Sequence, residues 1–402
     1  MAKIGAIKIR KILDSRGNPT VEVDVFSDSV GMGRAAAPGG ASKGTYEVID
    51  YPADGLDAGI VKFREKVIPR LKGHELLDQK GIDALLHEID GTPNFAGIGG
   101  NIAIATSLAA AKAAAKTEDS SLYKMLGKKD RFEMPFPLGN MIGGGKHAIN
   151  GTTMQEFLTV AFGKTYSDSA FTNVAVHKKI GELLRNRFPG APLGLGDEKA
   201  WVAAVEDTEA LELLHDAIVS VQERTGIEIN PVIDLAASEF YHDGKYQYKT
   251  KQLDTAGQID FVADLADKFG VKILEDPLEQ NDFSGFAELT RRIGSKAIIV
   301  GDDLFVTNKQ RLEKGIAMGA ANGILIKPNQ IGTLTDMVDT VMLAKSRGYE
   351  CVISHRSGET EDATIAHLAV GLGIKYIKTG TVGGERTAKH NELIRIEEAS
   401  AL

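Results

Sequence analysis

Six residues of unlike chemistry recur along the second half of this 402-residue sequence, 23 to 41 positions apart: Asp234, Glu275, Asp302, Lys327, His355 and Lys378. Each follows a short apolar run rich in β-branched residues, and the spacing is about that of one strand plus one helix. If the runs are parallel strands, the six side chains project from one C-terminal rim, where parallel barrels carry their active sites. Three carboxylates converging on a point repel one another unless a cation joins them, and oxygen donors without thiolate favour Mg²⁺. Any one of these carboxylates could be a plain helix cap. A set that combines acid, amine and imidazole at matching strand ends asks for more than capping.

Lys327, at the end of an apolar run and among other cations, is expected to have a lowered pKa, which frees the neutral amine to act as a base. An ion pair with one of the carboxylates is the alternative. Lys378 and the run Ser354-His355-Arg356-Ser357-Gly358 offer cationic and hydroxyl donors for a phosphate or carboxylate, with Arg356 able to grip two oxygens. Residues 38–44 have the glycine content of a mobile lid. Residues 141–147, followed by Gln155 and Glu156, join a flexible turn to the titratable His147 and Glu156. Glu198 sits in a Gly-flanked turn that the strand repeat does not place.

The elements that must hold these residues read as two sets. From Asn230 onward, apolar runs at 231–233, 271–274, 297–300, 323–326, 351–353 and 374–377 alternate with helical stretches. One such stretch carries Leu334, Met337, Val338, Val341 and Met342 on one face. Strand alternating with helix means parallel β, and either a closed barrel or an open doubly wound sheet fits. Before that, Val21 to Val25 alternate as a strand with one wet face, Ile60 to Leu71 keep helical spacing, and Asn101 precedes an Ala-rich helix through Ala115. This first part reads as α+β. The charged run 127–131 ahead of Pro135 and Pro137 places the boundary, giving domains 1–128 and 129–402.

Composition narrows the function classes. Hydrophobic residues at 43% and charged residues at 25% exclude a disordered chain. With 47 Lys and Arg against 55 Asp and Glu, the net charge of -8 argues against nucleic acid as the primary ligand. The single Cys351 excludes internal disulfides and multi-thiolate zinc, and reads as a small buried apolar residue. No signal-peptide segment and no run of about 18 apolar residues is present, so we expect no membrane span and a cytoplasmic protein.

Four segments together resemble the signatures of the enolase family: residues 14–23 (DSRGNPTVEV), 301–308 (GDDLFVTN), 329–334 (NQIGTL) and 354–360 (SHRSGET). The resemblance runs from end to end. It implies an α/β protein whose N-terminal α+β domain packs on an atypical, TIM-like β/α barrel. It also implies reversible dehydration of 2-phosphoglycerate to phosphoenolpyruvate by a homodimer or a larger ring such as an octamer, with two Mg²⁺ per site. Carried over, Asp234, Glu275 and Asp302 would hold the first ion, the latter two also lying against substrate. Ser42 would join a second ion that arrives with substrate. Lys327 would take the C2 proton and Glu198, kept protonated, would protonate the C3 hydroxyl. His147, Gln155, Glu156, Ser354, His355, Arg356, Ser357 and Lys378 would position substrate.

The sequence departs from that family at Gly39 and Lys43 in the lid, at 199–201 (KAW) and at 381–386 (TVGGER), which lacks one of the usual arginines. Those changes motivate a second expectation, a lyase for a related phosphonate or hydroxy acid. A third, an idle scaffold, conflicts with keeping a base, an acid and a cation site together.

Overall fold

A computed structural model describes residues 2–41 and 43–401 of the chain. Strands β1 (Ile4–Leu13), β2 (Pro19–Ser27) and β3 (Met32–Ala36) form an antiparallel meander. Val21, Val23 and Val25 are fully buried beneath the Ala-rich helix α1 (Gly100–Thr117). The neighbouring β3 approaches α1 so closely that a Cβ at Gly33 would drive into the Ala109 carbonyl and the Ala113 amide, which only glycine avoids. The other face of β2 is not wet as alternation suggests. Asp24 is buried there, accepting from Arg34 Nε at 2.7 Å and from Arg10. Burial alone would raise its carboxyl, but the two guanidinium groups bring it down to about 2. Residues 56–71 are helical, with a π-helical turn at Phe63–Val67. Asn101 does not cap α1: Gly99 does, and Asn101 is buried in the first turn.

Eight strands then close into a barrel: β4 (Phe136–Gly143), β5 (Glu156–Ala161), β6 (Ile229–Asp234), β7 (Ile273–Glu275), β8 (Ile298–Gly301), β9 (Gly323–Ile326), β10 (Glu350–Ser354) and β11 (Tyr376–Lys378). The pairing Tyr376↔Phe136 joins β11 back to β4, which decides for the closed barrel over the open sheet. β5 runs antiparallel to both of its neighbours, and the other six pairings are parallel. The periodicity begins at Asn230 because β4 and β5 form a hairpin, with only a 3₁₀ turn at Gly145–His147 and no α-helix between them to announce a repeat.

Inside the barrel Leu138, Leu158, Val160, Val232, Ile273, Val300, Leu325, Val352 and Tyr376 make a separate apolar plug. It fills the lower barrel and leaves the upper rim for polar groups. Outside lie α2 (Tyr166–Arg187), α3 (Asp207–Thr225), α4 (Thr255–Phe269), α5 (Phe283–Ile293), α6 (Lys309–Met318), α7 (Leu334–Ser346), α8 (Thr364–Gly371) and α9 (Gly384–Ala401). On α7, Leu334, Met337 and Val341 face the core, whereas Met342 points outward. Cys351 is buried in β10 and burial pushes its thiol up to about 12, so it acts as an apolar residue. No helix among the described residues is long and apolar enough to cross a membrane.

Candidate active site

Strand register brings the rim residues together. Asp234 and Glu275 end the paired strands β6 and β7 side by side. Asp302 follows β8, Lys327 follows β9, and Ser354 and Lys378 end the paired β10 and β11. Glu156 joins them for a different reason. Because β5 runs antiparallel, its first residue, not its last, reaches this rim, opposite Asp234. A rule that looks only at strand C-termini misses it. Around one narrow cleft stand Lys327, Lys378, Asp234, Glu156, Gln155, Glu198, His147 and the run from Ser354 to Ser357.

The buried charges are paired. Lys378 Nζ lies 2.8 Å from Asp234 Oδ2, 2.8 Å from Glu275 Oε2 and 3.2 Å from Glu156 Oε1. Burial opposes its charge, but the three carboxylates outweigh burial and hold its pKa well above the usual lysine value. Lys327 Nζ pairs with Asp302, whose other oxygen accepts from Gln330 Nε2 at 2.9 Å. The expectation of a lowered Lys327 pKa is therefore corrected: burial does lower it, but the Asp302 carboxylate reverses the sign, and the net shift is upward. The ion pair is the arrangement present.

Glu198 sits in the turn at Asp197–Lys199 with left-handed backbone, φ 59° and ψ 5°. Its Oε2 accepts from Asn140 Nδ2 at 3.1 Å, and its Oε1 lies 3.1 Å from His355 Nε2, within ion-pair reach though off the hydrogen-bonding line. Burial raises this carboxyl, yet His355, His147 and Arg386 draw it well below the usual range. Its neighbour Glu156 goes the other way, raised by burial and then by the Glu198 charge. The two carboxyls thus shift in opposite directions, against the expectation that Glu198 is the one held up. One oxygen from each carboxyl and a His147 ring nitrogen all fall within 4.8 Å of one another. Burial lowers the pKa of His147, and the Glu198 and Asp234 carboxylates oppose that shift. Gln155 Nε2 reaches Asp234 Oδ2 at 3.5 Å, while its Oε1 is buried with no hydrogen-bond partner.

The residues expected to grip an anion are partly engaged across the domain boundary. Arg356 Nη1 and Nη2 each donate to Glu47 at 3.0 Å, and Nη1 donates to Asn329 Oδ1 at 2.9 Å. Ser357 Oγ accepts from the Ala41 amide at 2.6 Å, and Gly39 exchanges backbone hydrogen bonds with Gly358. The Gly-rich segment is thereby zipped onto the loop after β10. Ser42 lies outside the described residues. Ser354 Oγ donates to the His355 carbonyl.

Sequence reasoning passed over Glu47, Asn140, Asp276, Asp303 and Arg386. Asp276 and Asp303 carried a signal, since each directly follows a strand-end acid. Asp276 accepts from the Asp302 and Asp303 amides at 2.8 and 2.7 Å, and the three carboxyls crowd within 4.8 Å. Burial and then Asp302 push Asp303 up to about 7. The Asp276, Asp302 and Asp303 group offers oxygen alone and suits a hard divalent cation, whereas the His147, Glu156 and Glu198 group adds an imidazole nitrogen. Asp234 and Glu275 fall in neither group and are joined by Lys378, though Glu275 Oε1 is buried without a hydrogen-bond partner.

A closed β/α barrel with one antiparallel strand, capped by an α+β domain and holding carboxylates and two lysines at its rim, defines a class of two-domain barrel enzyme. Residues 4–126 match the family model described as the N-terminal domain of enolase, and residues 131–401 match that of its C-terminal TIM barrel domain. The chain is 52% identical over 402 residues to the enolase of Halorubrum lacusprofundi, covering 99% of each. It is 50% identical over 400 residues to that of Natronomonas pharaonis, again covering 99% of each. With the enolase of Methanothermobacter thermautotrophicus it shares 50% over 398 residues, 98% of this chain and 95% of the other. The chain belongs to the enolase family, which makes it a phosphopyruvate hydratase, a hydro-lyase.

Proposed function

We propose that this protein dehydrates 2-phosphoglycerate to phosphoenolpyruvate reversibly, with Lys327 as the base at C2 and Glu198 as the acid at the C3 hydroxyl. The observation that carries the reading is a single cleft lined by both residues and by Asp234, with Glu275 and Asp302 at adjacent strand ends. Asp234, Glu275 and Asp302 are assigned to one Mg²⁺, and Ser42 to a second that accompanies substrate. Bound cation supplies positive charge against the extra negative charge that builds up on the substrate carboxylate when C2 loses its proton.

Lys327 acts from its end of the apolar β9, where separation from Asp302 removes the partner that keeps its ammonium charged. Lys378 and Arg356 bind the anionic groups of the substrate, with Ser354, His355 and Ser357 beside them. Hydroxide leaves poorly without a proton. Glu198 is assigned to supply it, with Glu156, whose carboxyl is raised by burial and by the Glu198 charge, in the same cluster. His147, Gln155 and Glu156 are assigned to positioning the substrate.

Three further assignments belong to the same reading: domains at 1–128 and 129–402, assembly as a homodimer or a larger ring such as an octamer, and a cytoplasmic location. The function is tested by ultraviolet absorbance of phosphoenolpyruvate after mixing protein with 2-phosphoglycerate, with and without Mg²⁺. A metal-dependent rise abolished by chelation is expected. Absence of a rise from folded protein, with turnover of a phosphonate analogue instead, would replace the reading with a related-substrate lyase.

A further inference from the structure

Behind the cleft, helix α9 sends two cations one turn apart into the protein interior: Arg386 is 0% exposed and Lys389 1%. Both hold the loop that follows β10. Lys389 Nζ donates to Glu359 Oε2 at 2.7 Å and to the Thr360 carbonyl at 2.6 Å, and Glu359 Oε1 in turn accepts from the Arg356 amide at 3.1 Å. Arg386 Nη2 donates to the Ser357 carbonyl at 2.7 Å, and Nη1 donates to the Arg356 carbonyl at 2.6 Å. The same Nη1 lies 2.8 Å from Nδ1 of His355.

That last contact constrains the imidazole. A guanidinium carries donors only and stays protonated, so His355 Nδ1 must be the acceptor. A neutral ring then carries its single proton on Nε2. Nε2 is the nitrogen that sits 3.1 Å from Glu198 Oε1. We infer that Arg386 is a positioning residue for the reaction: it selects the Nε2–H tautomer of His355 and so keeps the protonated nitrogen beside Glu198, 3.1 Å from its Oε1 though off the hydrogen-bonding line. The inference rests on Glu198 being the acid proposed above. His355 is wholly buried, its backbone amide is bound to the Lys378 carbonyl, and the charged groups acting on the ring are Glu198, Arg386 and Glu359. Doubly protonated imidazole is disfavoured there, first by burial, and the ring titrates only at about 4.

Because Arg386 also ties down two carbonyls, the rival role is purely structural, and the test must separate the two. Histidine-selective ¹⁵N labelling of the whole protein, with the His355 signals among its nine histidines assigned by loss in His355→Asn, reads the tautomer directly. In the wild type we expect Nδ1 unprotonated and Nε2 protonated between pH 6 and 8. A proton on Nδ1 overturns the inference whatever the variants do. In Arg386→Met we expect the proton to redistribute to Nδ1. Dehydration should slow roughly tenfold or more, while exchange of the substrate C2 proton changes by less than about threefold. Arg386→Lys should recover part of the loss. Equal falls in exchange and dehydration, or an unchanged tautomer in a folded variant, would leave only the structural role. Should Arg386→Met fail to fold, the wild-type tautomer and Arg386→Lys decide. If the wild type neither exchanges C2 nor dehydrates, the proposed function fails, and the tautomer measurement still judges Arg386 on its own.

Discussion

Lys327 and Glu198 divide the labour of one reaction, so their variants should fail differently. Lys327→Ala is expected to abolish exchange of the C2 proton with solvent while substrate still binds, because Lys378 and Arg356 remain. Glu198→Gln is expected to keep C2 exchange and lose dehydration by about 10² or more. Exchange followed by NMR, beside the absorbance assay, checks both. Lys199, immediately after the acid, also has left-handed backbone at φ 59°, with its Cγ where a Cβ on Gly383 would approach to 2.8 Å. A lysine there carries strain that glycine lacks. Lys199→Gly should therefore raise the urea midpoint by an amount worth about 1 kcal/mol. At this scale the strand-end acids and bases were legible from spacing. The direction in which each carboxyl shifts was not, because the Glu156–Glu198 balance depends on which histidines and arginines face each carboxyl through space.

The elements carry their own chemistry. Helix α9 is anchored by His390, whose Nδ1 meets Tyr166 Oη at 2.6 Å on α2 and whose Nε2 donates to the Gly380 carbonyl at 3.1 Å. Burial lowers this histidine from 6.5 to about 4. The folded state thus refuses a proton that the unfolded chain accepts. The sign follows: this contribution to stability is complete above pH 6.5 and is lost as pH falls toward 4. His390→Gln should flatten the pH dependence of unfolding free energy in that window by up to about 1.4 kcal/mol per pH unit, measured by urea titrations at stepped pH. His355 pulls in the same direction and will leave part of the slope in place. Helices such as α7 were readable because an apolar stripe is a local pattern. The β4–β5 hairpin was not, since its identity as barrel wall rests on pairing with β6 and β11.

Across the whole molecule the two parts are latched by Glu47, which reaches from the N-terminal domain to Arg356 and also accepts from the Gly44 amide at 3.0 Å beside the lid. Glu47→Gln takes the charge away from a buried guanidinium. It should cost about 3 kcal/mol in denaturant-measured stability and loosen the segment at residues 38–44 toward proteolysis. Divalent cation acts at the same scale. Mg²⁺ at a hundredfold excess over its dissociation constant should add about 2.7 kcal/mol by binding the native state alone. Asp302→Asn should lose most of that gain in a thermal-shift titration with chelator as the control.

What the sequence by itself determined is whatever repeats locally. Strand runs at unit spacing brought Asp234, Glu275, Asp302, Lys327, His355 and Lys378 to one rim, and the ordered motifs pointed to the family. Periodicity left barrel and open sheet undecided until the family resemblance pointed to a barrel. Tertiary structure alone decided the entry of Glu156 through an antiparallel strand, the pairing of Lys327 with Asp302 and of Lys378 with three acids, and the reach of Glu47 and Arg386 into the site. Periodicity and propensity act between neighbours along the chain. A buried charge answers to whatever lies within a few ångströms of it, and Glu47 and Arg356 are 309 residues apart in sequence yet bonded at 3.0 Å.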